Sequence, residues 1–252
     1  MKKTSLFSCF LFVIILFIWE EMARGISELV LPAPSTIITT LYDGLKSGYY
    51  MPHIIHTSLE IGIGLLIGSI LGIIIGVWMG EAAIVRKILS PYVIASQAVP
   101  KLALAPLFIL WFGFGIQSKI VITALICFFP LMENTVTAIQ YTDSQKIELF
   151  RVLGASRWQM LFHLKIPSGL PSIMAGFRVA AILAVVGAVV GEFIGGSEGL
   201  GAMIIASQGM MDTPMMFSIL ILVTMLGIII YQFVYLIEKR LFRYKRDHHK
   251  RK

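Results

Sequence analysis

Six apolar segments, each close to the ~20 residues that an α-helix needs to cross a bilayer, constrain the fold of this chain more than any other feature. They are approximately Leu6–Met22, Ile54–Met79, Leu89–Phe112, Lys119–Ala138, Leu170–Phe193 and Met215–Ile237. Pro100 and Pro106 interrupt the third segment, so we expect a kink or an unwound stretch there. The pattern predicts an all-α fold, a polytopic membrane helix bundle of about six transmembrane helices, in a single domain over residues 1–252.

The composition also indicates that the solvent of this chain is a membrane. Hydrophobic residues make up 57% of the sequence and charged residues only 14%, with a mean hydropathy of +0.85. A soluble domain carries about 25% charged residues. Lys2 and Lys3 before the first apolar segment would fit a signal peptide, but Trp19-Glu20-Glu21-Met22 offers no small-x-small cleavage site. We therefore expect an uncleaved first helix in a multi-pass membrane protein.

The distribution of Lys and Arg predicts the orientation of the chain. With the N-terminus inside, the inner segments carry sixteen of these residues, and the outer segments carry only Arg24, Lys46 and Lys119. Because inner loops of membrane proteins are enriched in Lys and Arg, both termini are expected to be cytoplasmic. Eight of the sixteen lie in a basic tail, residues 238–252. Such a tail is typical of an anchor at anionic membrane lipid, and we expect no nucleic-acid partner.

The inner loop between the fourth and fifth segments, about residues 140–167, carries the most specific pattern. Its apolar residues recur at three- and four-residue spacing, which predicts two short amphipathic helices. Gly154 falls between them, where its permissive dihedrals allow a sharp turn. Ser156 is expected to cap the second helix and Pro167 to end it. Two short helices at a sharp angle beside a membrane would form a projection for a cytoplasmic partner to grip.

Position by position, this loop resembles the cytoplasmic coupling loop of binding-protein-dependent ABC importer permeases. The pattern of that family is E-A-A, three residues, G, nine residues, then I-x-L-P. This chain has Glu148-Leu149-Phe150, then Gly154, then Leu164-Lys165-Ile166-Pro167. The glycine, the spacing and the terminal proline match, whereas Leu149 and Phe150 replace the two alanines and Leu164 replaces the isoleucine.

Other short strings, over about residues 30–240, are similar to the nitrate/sulfonate/bicarbonate-type permeases of that family. They are Val99–Phe108, Trp111–Gly113, Gly154–Ser156, Ile166–Pro171, Gly176–Arg178, Gly191–Phe193 and Gly199–Gly201. The resemblance implies a type I ABC importer permease fold in the bacterial plasma (inner) membrane.

The resemblance also implies partners for this chain. Two permease copies, expected here as a homodimer, would assemble with an ABC ATPase dimer and receive the solute from an extracytoplasmic solute-binding protein. The chain has no G-x-x-x-x-G-K-[ST], so ATP would be bound by the partner ATPase, and the chain itself would be no enzyme and hold no cofactor. The residues that would couple to the ATPase are Glu148, Leu149, Phe150, Gly154, Ala155, Ser156, Arg157, Leu164, Ile166 and Pro167.

Ionisable side chains inside apolar segments are functional hypotheses, because a charge in the bilayer core is costly. Lys101, next to Pro100 in the broken segment, would meet the solute if the solute is an anion. Arg178 is expected to snorkel or to pair with a carboxylate, and Glu192 to shape an external gate or to lie in water at the interface. These four residues are the candidates for the translocation pathway.

Two further patterns concern the packing of the spans. Glu60 and Glu133 are interpreted as buried pairing residues or rim residues. Glycines at positions 64, 68, 72 and 76 share one helix face, which favours either close packing with another helix or dimerisation.

The sequence also has features of other classes of protein, and none of them is favoured over the importer. A stand-alone secondary transporter or channel would predict inverted repeats with helices broken at matching positions, and only one segment is broken. The letters of G-x-S-x-G occur at residues 195–199, but no His occurs between His163 and His248, and both of these are predicted to lie across the membrane from Ser197. His53 and His56 lack further ligands, so no metal site is expected. The solute stays open between an organic anion such as a sulfonate or nitrate and a pyrimidine-type vitamin precursor.

Overall fold

The computed structural model describes the backbone of residues 2–249 and the side chains of residue 7 and residues 10–241. Over this range the chain is helical almost throughout, and no β-strand occurs in it. The predicted all-α fold is confirmed.

The α-helices of the described backbone follow one another with short connections. They are α1 (Lys2–Arg24), α2 (Pro34–Lys46), α3 (Met51–Glu81), α4 (Ala83–Ala98), α5 (Ala105–Phe112), α6 (Ile116–Gln140), α7 (Ser144–Val152), α8 (Arg157–Met160), α9 (Ile166–Gly195), α10 (Leu200–Gly209) and α11 (Thr213–His249). A 3₁₀ turn, Lys101–Leu104, precedes α5, and a π-helical turn, Leu161–Lys165, joins α8 to α9.

Up to five membrane crossings are found among the described residues. Four segments are long and apolar enough by themselves: α3, α6, Arg157–Gly195 and Thr213–Leu241. A fifth crossing results if α4 and Lys101–Phe112 count as one span, which is bent by 83°. The first predicted span, Leu6–Met22, falls within α1, several of whose side chains lie outside the described residues, so it stays a prediction.

The bend in the third predicted span lies at Val99 and Pro100. Val99 has extended dihedrals, φ −71° and ψ 127°, as expected for a residue whose backbone is restricted by a following proline. Pro106 does not interrupt a helix, because it lies in the first turn of α5, where no backbone N–H has to be donated. The predicted break is therefore confirmed, but only the first of the two prolines makes it.

Glycines on one face of α3 allow it to pack directly on α6. A Cβ added at Gly68 would lie 2.5 Å from the carbonyl oxygen of Ala124, and one at Gly72 would lie 2.7 Å from that of Phe128. Neither contact leaves room for a methyl group, because the atoms in the way belong to the backbone. Of the two interpretations of the glycine stripe, packing within the chain is the one that the structure supports.

α9 lies at the centre of the bundle and joins its two ends. Its small residues Ala180, Ala181, Ala184 and Ala188 are completely buried, and the thiol of Cys127 in α6 donates to the carbonyl oxygen of Ala180 at 3.3 Å. We call the end of the bundle with α7 and α8 the loop end, and the end with the turn between α9 and α10 the opposite end.

Candidate functional site: a projecting loop and an intramembrane cavity

The loop end carries the two short helices that the sequence pattern predicts. The side chain of Asp143 caps α7 by accepting the N–H of Gln145 at 3.0 Å. Gly154 has a φ of +74°, a left-handed conformation that glycine adopts without strain, and it reverses the chain after α7. Ser156 then starts α8 with a capping box, in which its hydroxyl accepts the N–H of Gln159 and the Gln159 side chain accepts the N–H of Ser156. The predicted turn at Gly154 and cap at Ser156 are confirmed.

Pro167 does not end the second helix, and that prediction is wrong. The chain is helical without a break from Arg157 to Gly195, and Pro167 lies in the first turn of α9. The π turn Leu161–Lys165 comes directly before it. A π turn departs from the regular i to i−4 bonding, so a proline, which has no N–H to donate, is tolerated at its end. The loop is therefore the rigid start of a membrane span.

An exposed apolar surface covers the tip of the loop. Val152 and Leu153 are 81% and 72% exposed, and Leu149 is also exposed. Phe162 stacks on the exposed ring of Trp158, with 5.9 Å between their centroids. Apolar side chains grouped in this way are typical of a surface that another protein covers.

The remaining candidates of the loop form two groups: charged side chains that are exposed, and residues that hold the loop in its conformation. Glu148 and Arg157 are exposed and take part in no ion pair within the described residues. The N–H of Ala155 donates to the carbonyl oxygen of Phe150 at 2.9 Å, which closes the turn at Gly154. The other two candidates lie where the loop joins α9: Leu164 is buried and Ile166 is half-buried.

A cavity of ≈ 480 Å³ opens on the outer surface of the bundle, between the α4–α5 break, α6 and α9. Gln97, Lys101, Phe129, Glu133 and Asn134 contribute to its lining. The amide of Gln97 donates to the carboxylate of Glu133 at 2.7 Å. The ammonium group of Lys101 lies 4.1 Å from the centroid of the Phe129 ring, within the range of a cation–π interaction.

This cavity faces the outside of the single chain, although it is polar. Gln97 and Glu133 are exposed and lie within segments that are predicted to cross the membrane. Polar groups at that depth are rarely turned towards lipid, because the bilayer core offers them no hydrogen-bond partner. The cavity therefore belongs to a surface covered by protein or lined by water. Pro100 places Lys101 in this lining by breaking the span immediately before it.

The structure brings neither Arg178 nor Glu192 to this cavity. The guanidinium group of Arg178 forms an ion pair with Glu238 of α11, which confirms the expected pairing with a carboxylate. Glu192 is buried at the opposite end of the bundle, where it accepts the hydroxyl of Thr57 and the N–H of Gly201, each at 2.6 Å. Glu192 is therefore not in water at an interface.

Glu192 belongs to a polar cluster at the opposite end, made of His56, Thr57, Glu60, Lys119 and Glu192. Lys119 lies in the first turns of α6 and is 2% exposed, and its Nζ lies 3.4 Å from Oε1 of Glu60. Oε1 of Glu60 is also 3.2 Å from Nδ1 of His56. The cluster ties α3, α6 and α9 together and confirms that Glu60 is a buried pairing residue.

Sequence analysis missed several members of both sites. Thr57 was not singled out, and Lys119 was counted among the residues of an outer segment, but it is buried inside α6. The spacing of His53, Thr57 and Glu60 along one face of α3 was the available signal. Among the described residues, no group of three or more His, Cys, Asp or Glu is arranged to hold a metal ion.

Comparisons with known proteins identify the family of this architecture. A family model described as "Binding-protein-dependent transport system inner membrane component" matches residues 68–243. The chain is 37% identical over 219 residues to the formylaminopyrimidine transport permease protein ThiX of Halalkalibacterium halodurans, with 86% of this chain and 87% of that protein covered. It is 38% identical over 236 residues to the riboflavin transport system permease protein RibX of Chloroflexus aurantiacus, covering 92% of this chain and 88% of the relative.

A third relative and a solved structure agree with this assignment. The putative aliphatic sulfonates transport permease protein SsuC of Bacillus subtilis is 34% identical over 237 residues, covering 93% of this chain and 86% of that protein. A crystal structure of an amino acid ABC transporter with histidines superposes with a TM-score of 0.61 over 78% of this chain and 97% of the matched chain. At 19% sequence identity, that similarity shows the fold alone.

Proposed function

The chain belongs to the binding-protein-dependent transport system inner membrane components and is an ABC transporter permease, and from this premise we propose how it works. A separate ATPase docks on the loop of α7 and α8, and its cycle drives a small solute along the cavity at Lys101 into the cell. Membership of this family excludes a stand-alone secondary transporter, and it makes the chain a permease and not an enzyme.

The observation that carries this proposal is the exposed apolar tip of the loop. Val152 is the last residue of the short helix α7, Leu153 follows it, and Gly154 turns the chain back towards a membrane span. A partner that buries this tip gains about 25 cal/mol for each Å² of apolar surface removed from water. Because α8 continues without a break into α9, a displacement of the tip is transmitted directly into the bundle.

Both termini and the loop end face the cytoplasm in this proposal, in keeping with the distribution of Lys and Arg. ATP is bound only by the partner ATPase dimer. An extracytoplasmic solute-binding protein delivers the solute at the opposite end, and a second copy of this chain covers the polar cavity. Closing and opening of the ATPase dimer then alternate the access of the cavity between the two sides.

We further propose that the solute is a neutral heteroaromatic compound rather than an inorganic or organic anion. The cavity lining contains one ammonium group, Lys101, and one carboxylate, Glu133, so a bare anion would meet both charges. Gln97 and Asn134 supply amide donors and acceptors, and Phe129 supplies an aromatic surface. Two of the relatives described above carry the names of a formylaminopyrimidine and a riboflavin permease.

The experiment that tests the docking proposal is co-purification of the tagged chain with a co-expressed ATPase. We compare Gly154→Trp with Gly48→Trp, since Gly48 has nearly the same conformation, φ +75° against +74°, and a Cβ at either residue would meet nothing within 4 Å. The ATPase is expected to co-purify with the native chain and with Gly48→Trp, and to be lost with Gly154→Trp. Equal recovery of the ATPase with both variants would overturn the proposed docking site.

A further inference from the structure

A second cavity, of ≈ 680 Å³, lies at the loop end between the end of α3 and the two loop helices. We call it the basic cleft. Val77 and Trp78 form one wall, and Trp158 and Leu161 form the facing wall. The two tryptophans are 61% and 69% exposed, so the cleft presents a large apolar surface.

Charged side chains close the cleft at its polar end. Lys165 forms an ion pair of 2.7 Å with Glu81, which ties the π turn before α9 to the end of α3. Arg151 and Arg157 also contribute to the lining, and neither has an ion-pair partner among the described residues. Three cationic groups against one carboxylate leave the cleft with two uncompensated positive charges, and both belong to guanidinium groups. Guanidinium groups bind phosphate in a planar, two-bonded geometry.

The cleft lies beside the apolar surface of the loop and shares Trp158 with it. Ile147 and Arg151 are four residues apart, share one face of α7 and line the cleft. Leu149 lies on the other face of α7, and neither Leu149 nor Leu153, which follows the helix, lines the cleft. One face of α7 is thus available to a protein partner while the other remains turned towards α3.

The walls of the cleft are also the ends of two membrane spans. Trp78 lies one turn before the end of α3, and Leu161 lies one turn into the span Arg157–Gly195. Tryptophan at this depth is typical of the interface between the hydrocarbon core and the headgroups. The bilayer therefore supplies, next to the cleft, a molecule with an anionic headgroup and an apolar chain.

We propose that the basic cleft binds one anionic phospholipid, whose phosphate lies between Arg151 and Arg157 and whose acyl chain lies along Trp78 and Leu161. This inference rests on the proposed function in one respect: the loop end faces the cytoplasm, where the leaflet attracts basic groups through its anionic lipids. The bound lipid joins α7 to the end of α3, beside the ion pair of Glu81 and Lys165. It therefore holds the loop in the position that the ATPase meets.

The test is native mass spectrometry of the chain purified in mild detergent together with its ATPase, titrated with phosphatidylglycerol or phosphatidylcholine. The cleft variant is Arg151→Gln/Arg157→Gln. The matched control is Arg86→Gln/Lys87→Gln, which removes two positive charges in the first turns of α4 at the same end but outside the cleft lining. Loss of two basic contacts to an anionic lipid is expected to weaken phosphatidylglycerol binding roughly 30-fold in the cleft variant, and to leave it unchanged in the control.

Other results would overturn the lipid site. Equal affinity of the cleft variant and the control variant for phosphatidylglycerol would do so. Binding of phosphatidylcholine to the native chain as tightly as phosphatidylglycerol would also do so. Displacement of the lipid by glycerol 3-phosphate at equal concentration would point to a site for a soluble phosphate. If the cleft variant keeps its lipid and loses the ATPase, the cleft is a protein interface.

A charge-retaining variant and a thermal measurement serve as controls. Arg151→Lys/Arg157→Lys is expected to recover part of the lipid binding. A thermal midpoint equal to that of the native chain shows that substitution at these two positions does not unfold the protein. Lipid binding is read on the permease mass itself. A failure of ATPase docking therefore leaves the lipid result intact, and the two proposals fail independently.

Discussion

The ammonium nitrogen of Lys119 lies 3.4 Å from a carboxylate oxygen of Glu60, and both side chains are almost completely buried. A second buried acidic side chain, Glu192, belongs to the same polar cluster. The cluster at the junction of α3, α6 and α9 therefore holds two acidic groups and the ammonium group of Lys119.

Replacing Lys119 by Met is expected to destabilise the protein by up to about 3–5 kcal/mol, because it removes the buried ion-pair partner of Glu60. Glu60→Gln removes one of the two acidic groups and should cost less. Thermal unfolding in detergent, read from tryptophan fluorescence, compares the two variants. A Lys119→Met variant that unfolds at the same temperature as Glu60→Gln would contradict the charge arrangement.

Gly199 should tolerate no side chain. Its φ is +107°, and a Cβ there would lie 2.0 Å from a carboxylate oxygen of Glu192. Backbone strain alone is worth about 1–3 kcal/mol, and the displaced carboxylate adds to it. Gly199→Ala is therefore expected to lower the folded yield and the thermal midpoint. Gly209→Ala, at the end of α10 with nothing within 4 Å of its Cβ, should leave both unchanged or raised. Similar losses in the two variants would speak against the close contact between Gly199 and Glu192.

The contact between α3 and α6 makes a second glycine prediction. Gly68→Ala forces a methyl group against the backbone of Ala124, and overpacking of this kind costs about 1–3 kcal/mol. Gly62→Ala on the same helix meets nothing within 4 Å and should be neutral. The thermal midpoints of the two variants test this contact between α3 and α6. Equal midpoints would mean that the two spans are not in direct contact at Gly68.

Lys101→Met is expected to raise the KM for solute uptake about tenfold or more, because a charged hydrogen-bond partner of the solute is worth about 1.5–3 kcal/mol. Uptake is measured in vesicles that contain the permease, the ATPase and the solute-binding protein, with a labelled aminopyrimidine and a labelled alkanesulfonate. The native transporter should accumulate the pyrimidine and exclude the sulfonate.

Arg178→Met provides the contrast to Lys101→Met. Arg178 pairs with Glu238 outside the cavity, so its loss should lower the amount of folded transporter and leave the KM unchanged. An unchanged KM in Lys101→Met would refute the assignment of the cavity as the solute pathway. Preferred uptake of the sulfonate would refute the proposed solute class.

The local features of the loop could be predicted from the sequence because each depends on neighbouring residues. Gly154 allows a left-handed turn, and the hydroxyl of Ser156 reaches an N–H three residues along the chain. Pro167 misled the prediction, because whether a proline ends a helix or begins one depends on the turn before it. That turn is a π turn, for which sequence periodicity gives no signal.

The sequence by itself determined the membrane class, the apolar spans and the break before Lys101, since these follow from composition, segment length and the backbone restriction imposed by Pro100. Only the tertiary structure decided which charges meet. Glu192 and Thr57 are separated by more than 100 residues in the chain yet share a hydrogen bond of 2.6 Å, and Arg178 finds Glu238 on another span. Such pairs depend on how the helices are arranged in three dimensions, and no local pattern of residues records that arrangement.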